Sequence, residues 1–227
     1  MMPEYEVFRV AADFDPSDDS VRWDALPALR VGHYLWLDNG YEPKVEARVG
    51  YSDHYLYVRF EAFEKRVRIR NLDFQSSVYK DSCVEMFIDP FPDKGLGYLN
   101  FETNAAGAML LGFGPGRHDR KRVPPDDLAG FRIQGSVRGA WDGPIAADSW
   151  TVRYRVPQML FRKFYGEVLR PGIAGKANFY KCGDETEVPH YGAWSPPQTP
   201  APDFHRPEFF GTLVFSGRIA DLAATPS

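Results

Sequence analysis

The stretch that decides the fold is residues 81–104, which read DSCVEMFIDPFPDKGLGYLNFETN. Residues 82–89 and residues 98–104 each alternate between two sets of side chains, and a Pro-, Gly- and Asp-rich segment separates them. Alternation with a period of two is typical of β-strands, and clusters of Pro, Gly and Asp are typical of turns. The stretch therefore predicts a β-hairpin whose connecting loop lies between the two runs.

The register of this hairpin places two glutamates opposite each other. Counting back from the loop, Glu85 faces Glu102 and Cys83 faces Asn104. Directly opposed carboxylates repel across a sheet by about 0.2–1 kcal/mol. Such a pair suggests that a ligand, a cation or a hydrogen-bond donor contacts the two carboxylates and offsets their repulsion. The alternative is a register shifted by two residues, in which the glutamates never meet.

The rest of the chain repeats the strand pattern, and one segment has helical spacing. Gln158–Tyr165, directly after Pro157, predicts a short connecting helix. We therefore predict an all-β fold, an antiparallel β-sandwich of the immunoglobulin-like or jelly-roll-like kind, with at most one or two short helices and one domain over residues 1–227. The further predicted strands are residues 45–49, 55–62, 108–113, 131–137, 150–156, 177–182 and 211–215.

Composition restricts the partners. The 227 residues carry a net charge of -4, which argues against nucleic acid or an anionic membrane as partner. The basic run 117–122 follows Gly114-Pro115-Gly116 and predicts a solvated loop. The N-terminus shows no secretory signal and no apolar span, so the chain as written is expected in the cytoplasm. The oligomeric state stays open.

No residue spacing indicates a metal or cofactor. Cys83 and Cys182 are far apart in sequence, so two free thiols and one disulfide both remain open. The five histidines are scattered. We expect no cofactor. The one candidate for a structural calcium ion is an acidic segment that otherwise forms a solvated loop, and it contains Asp13, Asp15, Asp18 and Asp19.

Trp194 is the candidate binding aromatic. It lies among Gly, Ser and Pro residues, which predicts a loop, and an exposed indole there can stack on the apolar face of a sugar ring. The alternative is a loop tryptophan that folds back onto the core. An enzymatic interpretation is also open, because Glu85 and Glu102 could form the carboxyl pair, ~5–5.5 Å apart, of a retaining glycosidase.

Four segments resemble one known family in order and spacing. Residues 81–89 resemble the D-S-x-V-E-x-F-I-D strand of family 9 carbohydrate-binding modules, and residues 98–107 are similar to the strand that follows it. Residues 150–157 resemble the family's W-x-V-E-x-x-I-P segment. Residues 194–196 and 204–211 resemble its closing segment. The resemblance covers most of the chain, from about residue 45 to residue 215.

The resemblance implies a β-sandwich related to the DOMON-type fold that binds glucan or xylan without catalysis, often at chain ends. It also implies an extracellular or periplasmic location, although this chain is expected to be a standalone, divergent member. A cofactor-binding or structural role is the third interpretation, since related folds hold haem. The lack of a paired Met/His motif disfavours it.

The resemblance further implies which residues contact the ligand. Two aromatic residues clamp a sugar in the family, and Trp194 matches one of them. The second is usually a Trp shortly before the Asp-Ser pair; this chain has no Trp there, and the nearest aromatic is Tyr79, one position off, with Phe74 as an alternative. Glu85 matches a sugar-contacting Glu, whereas Glu102 stands where xylanase-attached members carry Arg. The predicted binding residues are Trp194, Tyr79, Glu85, Asn100 and Glu102.

Overall fold

The structure is a computed structural model that describes residues 2–223. Within these residues the strands are β1 Glu4–Val10, β2 Leu29–Val31, β3 His33–Tyr34, β4 Lys44–Tyr51, β5 Tyr55–Phe63, β6 Arg66–Ile69, β7 Cys83–Asp89, β8 Tyr98–Asn104, β9 Met109–Gly114, β10 Lys121–Arg122, β11 Arg132–Gly135, β12 Trp141–Pro144, β13 Trp150–Pro157, β14 Ala174–Cys182, β15 Tyr191–Ala193 and β16 Gly211–Ala220. The α-helix α1 is Gln158–Tyr165, and short 3-10 helices are Trp23–Ala25, Val78–Lys80, Pro92–Lys94, Pro125–Leu128 and Pro207–Phe209.

The strands form one large curled sheet whose order is β10-β9-β8-β7-β14-β16-β1-β4-β5-β13-β11. The sheet folds over so that its two halves enclose the main core, as the ring contacts Phe60–Phe179 and Phe101–Tyr154 show, each with centroids 5.9 Å apart. The prediction of an all-β sandwich with at most one or two short helices is confirmed, since α1 is its α-helix. That it is a single domain over the whole chain stays a prediction.

One part of the predicted topology is wrong. Strand β1 pairs in parallel with both β16 and β4, so the sheet is mixed and not purely antiparallel. Alternation within a strand reports which face is buried and carries no information on the direction of a distant neighbour. The pairing of the first strand with the last is decided by the closure of the whole sandwich.

The hairpin of β7 and β8 has the predicted register. Glu85 lies opposite Glu102, and Cys83 lies opposite Asn104. The face of β7 with Met86 joins the main core. The other face is also buried, because distant aromatic residues such as Phe210 pack over it. The outer face of this hairpin is therefore buried as well, although it carries the polar side chains of Glu85 and Glu102.

The residue that begins the motif, Asp81, anchors the hairpin. Its buried carboxylate accepts hydrogen bonds from the Arg68 guanidinium at 2.6 Å and from the backbone N–H groups of Arg70 and Asn71 at 3.1 and 2.9 Å. The Asn104 amide donates a further bond of 3.0 Å. Asp81 thus ties the start of β7 to the end of β8 and to the segment after β6, so its role is structural.

The helix α1 connects the two halves of the sheet. It begins after Pro157, whose missing N–H costs nothing at that position, and ends at Gly166, which has a left-handed φ of 76°. Lys94 donates a 2.8 Å hydrogen bond to the carbonyl of Tyr165 in the last turn. Over residues 2–223, no helix is long and apolar enough to cross a bilayer.

Candidate functional site

A pocket of about 360 Å³ opens on the outer face of the sheet over β7, β8 and β14. Its floor is formed by Glu85, Glu102 and Cys182, which lie side by side because the three strands are neighbours. Two distant loops close its sides. One contributes residues 117, 118 and 120, and the other contributes residues 202–205.

The two glutamates on the floor are almost fully buried, at 3% and 2% exposure. The Cys182 thiol donates a hydrogen bond of 3.1 Å to Glu85 Oε1. Glu102 Oε1 accepts 2.9 Å from Asn100 Nδ2 and lies 3.4 Å from the Arg120 guanidinium. The site therefore has two opposed buried carboxyl groups with one guanidinium beside them.

Burial shifts the ionisation of both groups. Burial, followed by the charge of Glu102, raises the pKa of Glu85 well above its usual value. Burial raises the pKa of Glu102 to about 7, although the Arg120 guanidinium opposes the shift. Two carboxyl groups on directly opposed residues of neighbouring strands, in a poorly solvated site, resist ionising together. Near neutral pH the pair therefore holds a proton and offers both a donor and acceptors to a ligand.

Two buried oxygen atoms, one on the floor and one beside it, lack hydrogen-bond partners. Among the described residues, Glu102 Oε2 and Asn100 Oδ1 are buried side-chain oxygens without a hydrogen bond. Buried acceptors are normally satisfied, and leaving one unpaired costs about 1–3 kcal/mol. Asn100 itself does not line the pocket and acts on it by holding the Glu102 carboxylate. The unpaired oxygen of Glu102 indicates that the floor is prepared for a donor supplied from outside.

The prediction for the basic run, residues 117–122, is partly wrong. We predicted a solvated loop, but the Arg120 side chain turns inward, is about four-fifths buried and pairs with Glu102. Its guanidinium also contacts the ring of His205, which bonds Tyr98 through Nδ1 at 2.8 Å. Burial, with Arg120 and Arg117 nearby, lowers the pKa of His205 to about 2, so its imidazole is neutral.

Aromatic rings line the pocket beside these polar groups. Tyr79, predicted as a clamp residue, is half-buried and lines the wall. Tyr191 and Phe204 also line it, and the Phe204 ring stacks on Tyr180 with centroids 4.0 Å apart and planes 12° apart. Phe74, the alternative clamp residue, packs against the main core instead.

Trp194 does not have the predicted exposure. Its side chain is only 7% exposed and belongs to the main core, where it meets Phe179 edge-to-face with centroids 5.7 Å apart. Phe179 points to the core side of β14, opposite the pocket-facing Cys182. The expectation of an exposed ring is therefore wrong, and the alternative of a loop tryptophan folded back onto the core describes its position.

The structure also locates the two cysteines and the acidic residues considered for a calcium site. Cys83 and Cys182 are directly opposed on β7 and β14, and both thiols are free.

The acidic residues considered for calcium have protein partners. Asp13 contacts His54 and Tyr57, and Asp19 pairs with Arg153 at 2.8 Å. The carboxylates of Asp15 and Asp18 accept local bonds from Ser17 and Ser20.

Sequence reasoning missed several pocket residues, chiefly Arg120, Asp184, Tyr191, Phe204 and His205. Phe204 and His205 stand inside the closing segment that carries the family resemblance, so that segment was the available signal. The inward turn of Arg120 had no local signal, since a basic run is ordinarily a solvated surface.

Comparisons with known proteins agree with this architecture. The sequence model of carbohydrate-binding family 9 matches residues 17–215. A solved structure from Bacteroides uniformis, whose proposed role is carbohydrate binding, is 28% identical with a TM-score of 0.84, covering 95% of this chain and 100% of its own. A search of curated proteins gave no match.

Two further solved structures are family 9 carbohydrate-binding modules from Caldicellulosiruptor kristjanssonii. One, in complex with glucose, is 15% identical with a TM-score of 0.62 and covers 95% of this chain and 97% of its own. The other, in complex with cellotriose, is 16% identical with a TM-score of 0.62 and covers 99% of each chain. At these identities the likeness concerns the fold.

Proposed function

Because the chain belongs to carbohydrate-binding family 9, we propose that it binds a sugar in the pocket above the Glu85–Glu102 pair. The observation that carries the proposal is a pocket that combines buried, incompletely paired carboxyl groups with aromatic walls. Its volume of about 360 Å³ lies within the ~300–1,000 Å³ of small-molecule sites.

The polar floor suits hydroxyl groups. Each sugar hydroxyl both donates and accepts a hydrogen bond, so its site needs acceptors and donors side by side. The Glu85–Glu102 pair holding one proton meets that need, and the Arg120 guanidinium adds donors. Xylanase-attached members of the family carry Arg where Glu102 stands, and here Arg120 brings a guanidinium within 3.4 Å of Glu102 from another loop.

The aromatic walls supply the apolar contact. Tyr79, with Tyr191 and Phe204, presents ring surface to the pocket in place of the expected tryptophan pair. Stacking of this kind contributes affinity while the polar groups fix orientation. Since Trp194 lies in the core, we assign the stacking role to Tyr79.

The ligand we propose is the end of a β-glucan or xylan chain. The floor is a continuous sheet and the sides are loops, so the pocket accepts a terminal sugar more readily than the middle of a chain. The relatives from C. kristjanssonii were solved with glucose and with cellotriose. We propose binding without cleavage, because the chain belongs to a family of carbohydrate-binding modules.

The test is calorimetric titration with cellotriose and xylotriose. Tyr79→Ala and Glu102→Gln should each weaken binding, Tyr79→Ala by roughly thirtyfold or more, the usual effect of removing an aromatic hot spot. The matched control is Trp141→Ala, which removes an exposed aromatic outside the pocket and should bind as the wild type does. Equal affinity of the Tyr79 and Trp141 variants would refute this pocket.

A second function, glycoside hydrolysis, is favoured by one observation, the buried carboxyl pair with raised pKa values. A reducing-sugar assay on the same oligosaccharides separates it from binding. We expect no release of reducing ends. Release that disappears in Glu85→Gln would establish hydrolysis instead.

A further inference from the structure

Strand pairing brings the only two cysteines of the chain into one cluster on the pocket floor. Cys83 lies opposite Cys182, and Glu85 is two residues along β7 on the same face. One ligand atom from each of the three residues lies within 4.8 Å of the others, and all three side chains are buried. We propose that Cys83, Cys182 and Glu85 bind a thiophilic divalent cation of the Zn²⁺ type, a site beyond the proposed sugar binding.

The distances fit such an ion after small side-chain movements. Zn²⁺ binds thiolate sulfur at ~2.3 Å and carboxylate oxygen at ~2.0–2.2 Å in tetrahedral geometry, which places neighbouring ligand atoms roughly 3.5–3.8 Å apart. Cys182 Sγ already lies 3.1 Å from Glu85 Oε1, and no pair in the cluster exceeds 4.8 Å. Shifts of about an ångström would therefore complete the set.

The donor types select the cation. Two thiols and one carboxylate prefer Zn²⁺, Cd²⁺ or Co²⁺ to Mg²⁺ or Ca²⁺, which favour all-oxygen sites. A bound cation would displace the thiol protons, including the one that Cys182 now shares with Glu85. Its charge would also compensate the buried Glu85–Glu102 pair, which has the Arg120 guanidinium as its close countercharge.

The cluster is accessible from one side. Cys182 and Glu85 line the pocket, whereas Cys83 lies beside them on the same face and is covered by neighbouring side chains. The pocket therefore supplies the route for the ion and faces the fourth coordination position. Three protein ligands with one open position is the arrangement of zinc sites that bind water or a ligand. The sequence showed no metal motif because the two thiols are brought together only by the β7–β14 pairing.

The competing explanations are two thiols that merely fill the core, and a disulfide between them. Opposed cysteines on neighbouring antiparallel strands have Cα separations of about 4.5–5.5 Å, which a disulfide accepts. The test therefore uses tag-free, reduced protein over residues 1–227 in a non-coordinating reductant. Thiols counted under denaturing conditions establish that both are free at the start.

Co²⁺ is titrated first and then displaced by Zn²⁺. We expect a sulfur-to-cobalt charge-transfer band that saturates at one equivalent and is lost on adding Zn²⁺. Cys83→Ser and Cys182→Ser should abolish the band, and Glu85→Gln should weaken Co²⁺ binding about tenfold or more. The matched control is Asp184→Asn, a pocket carboxylate outside the cluster, which should retain the band.

A second measurement covers the case in which a cysteine variant fails to fold. In the wild type, Zn²⁺ should slow the reaction of both thiols with a disulfide reagent and raise the thermal midpoint, and Mg²⁺ should do neither. Absence of the band in reduced wild type, or an unchanged band in Cys182→Ser, would overturn the site. Sugar titrations run in chelator test the proposed function separately, so either proposal can fail alone.

Discussion

Truncation of Trp194 to alanine should destabilise the protein strongly and leave its binding surface intact. Trp194 is only 7% exposed, packs against Phe179 and reaches the backbone at Gly211, where an added Cβ would lie 2.5 Å from Cζ3 of the indole. A buried aromatic side chain removes ~150–250 Å² from water, which at ~25 cal/mol per Å² is about 4–6 kcal/mol. Measured Trp→Ala losses of about 3–5 kcal/mol agree in scale.

The assay is urea unfolding together with the thermal midpoint. For a chain of this size, a loss of about 3–5 kcal/mol lowers the thermal midpoint by roughly 6–20 °C. The control is Trp141→Ala, which removes the same side chain from a surface position that is 44% exposed. It should change the free energy of unfolding by about 0.5 kcal/mol or less.

Affinity for cellotriose, measured well below the midpoint, completes the experiment. Because the Trp194 ring lies on the core side of β14, the folded fraction of Trp194→Ala should bind as the wild type does. A variant that keeps wild-type stability and loses binding would refute the core assignment and restore the exposed platform expected from the sequence.

Three further outcomes follow from the buried groups. The pKa of Glu102 is raised from 4.5 to about 7, so its contribution to stability is present below about pH 4.5 and is lost as the pH rises through 7. Urea midpoints at about pH 5 and about pH 8 should therefore differ less in Glu102→Gln than in wild type, and an equal difference would contradict the shift. Lys181→Met leaves Glu64 buried without its 3.2 Å countercharge and should cost about 3–5 kcal/mol in urea unfolding, much of it recovered when Glu64→Gln is added. Gly211→Ala should cost about 1–3 kcal/mol, because the added Cβ would lie 2.5 Å from the Trp194 ring and 2.7 Å from the Pro3 carbonyl oxygen, and a neutral result by thermal unfolding would show that both contacts are loose.

The β7–β8 hairpin shows how much of the structure a local sequence pattern can predict. Alternation along 82–89 and Tyr98–Asn104, with turn residues between, predicted the strands and the pairing of Glu85 with Glu102 correctly. This works because side chains alternate faces with a period of two and a short loop leaves few registers. The opposed carboxyl pair, the centre of the candidate site, was therefore available from the sequence.

What the sequence by itself determined is thus most of the long strands (although not β1), the sandwich class and the two opposed glutamates on the floor of the pocket. Tertiary structure alone decided what covers that floor. The inward turn of Arg120, the arrival of Phe204 and His205, and the burial of Trp194 are contacts between segments far apart in the chain. Local alternation cannot specify them, because the choice between solvent and core for a loop residue depends on which distant surface needs covering. The meeting of Cys83 with Cys182 depends in the same way on the β7–β14 pairing, which closes only when the whole sheet folds.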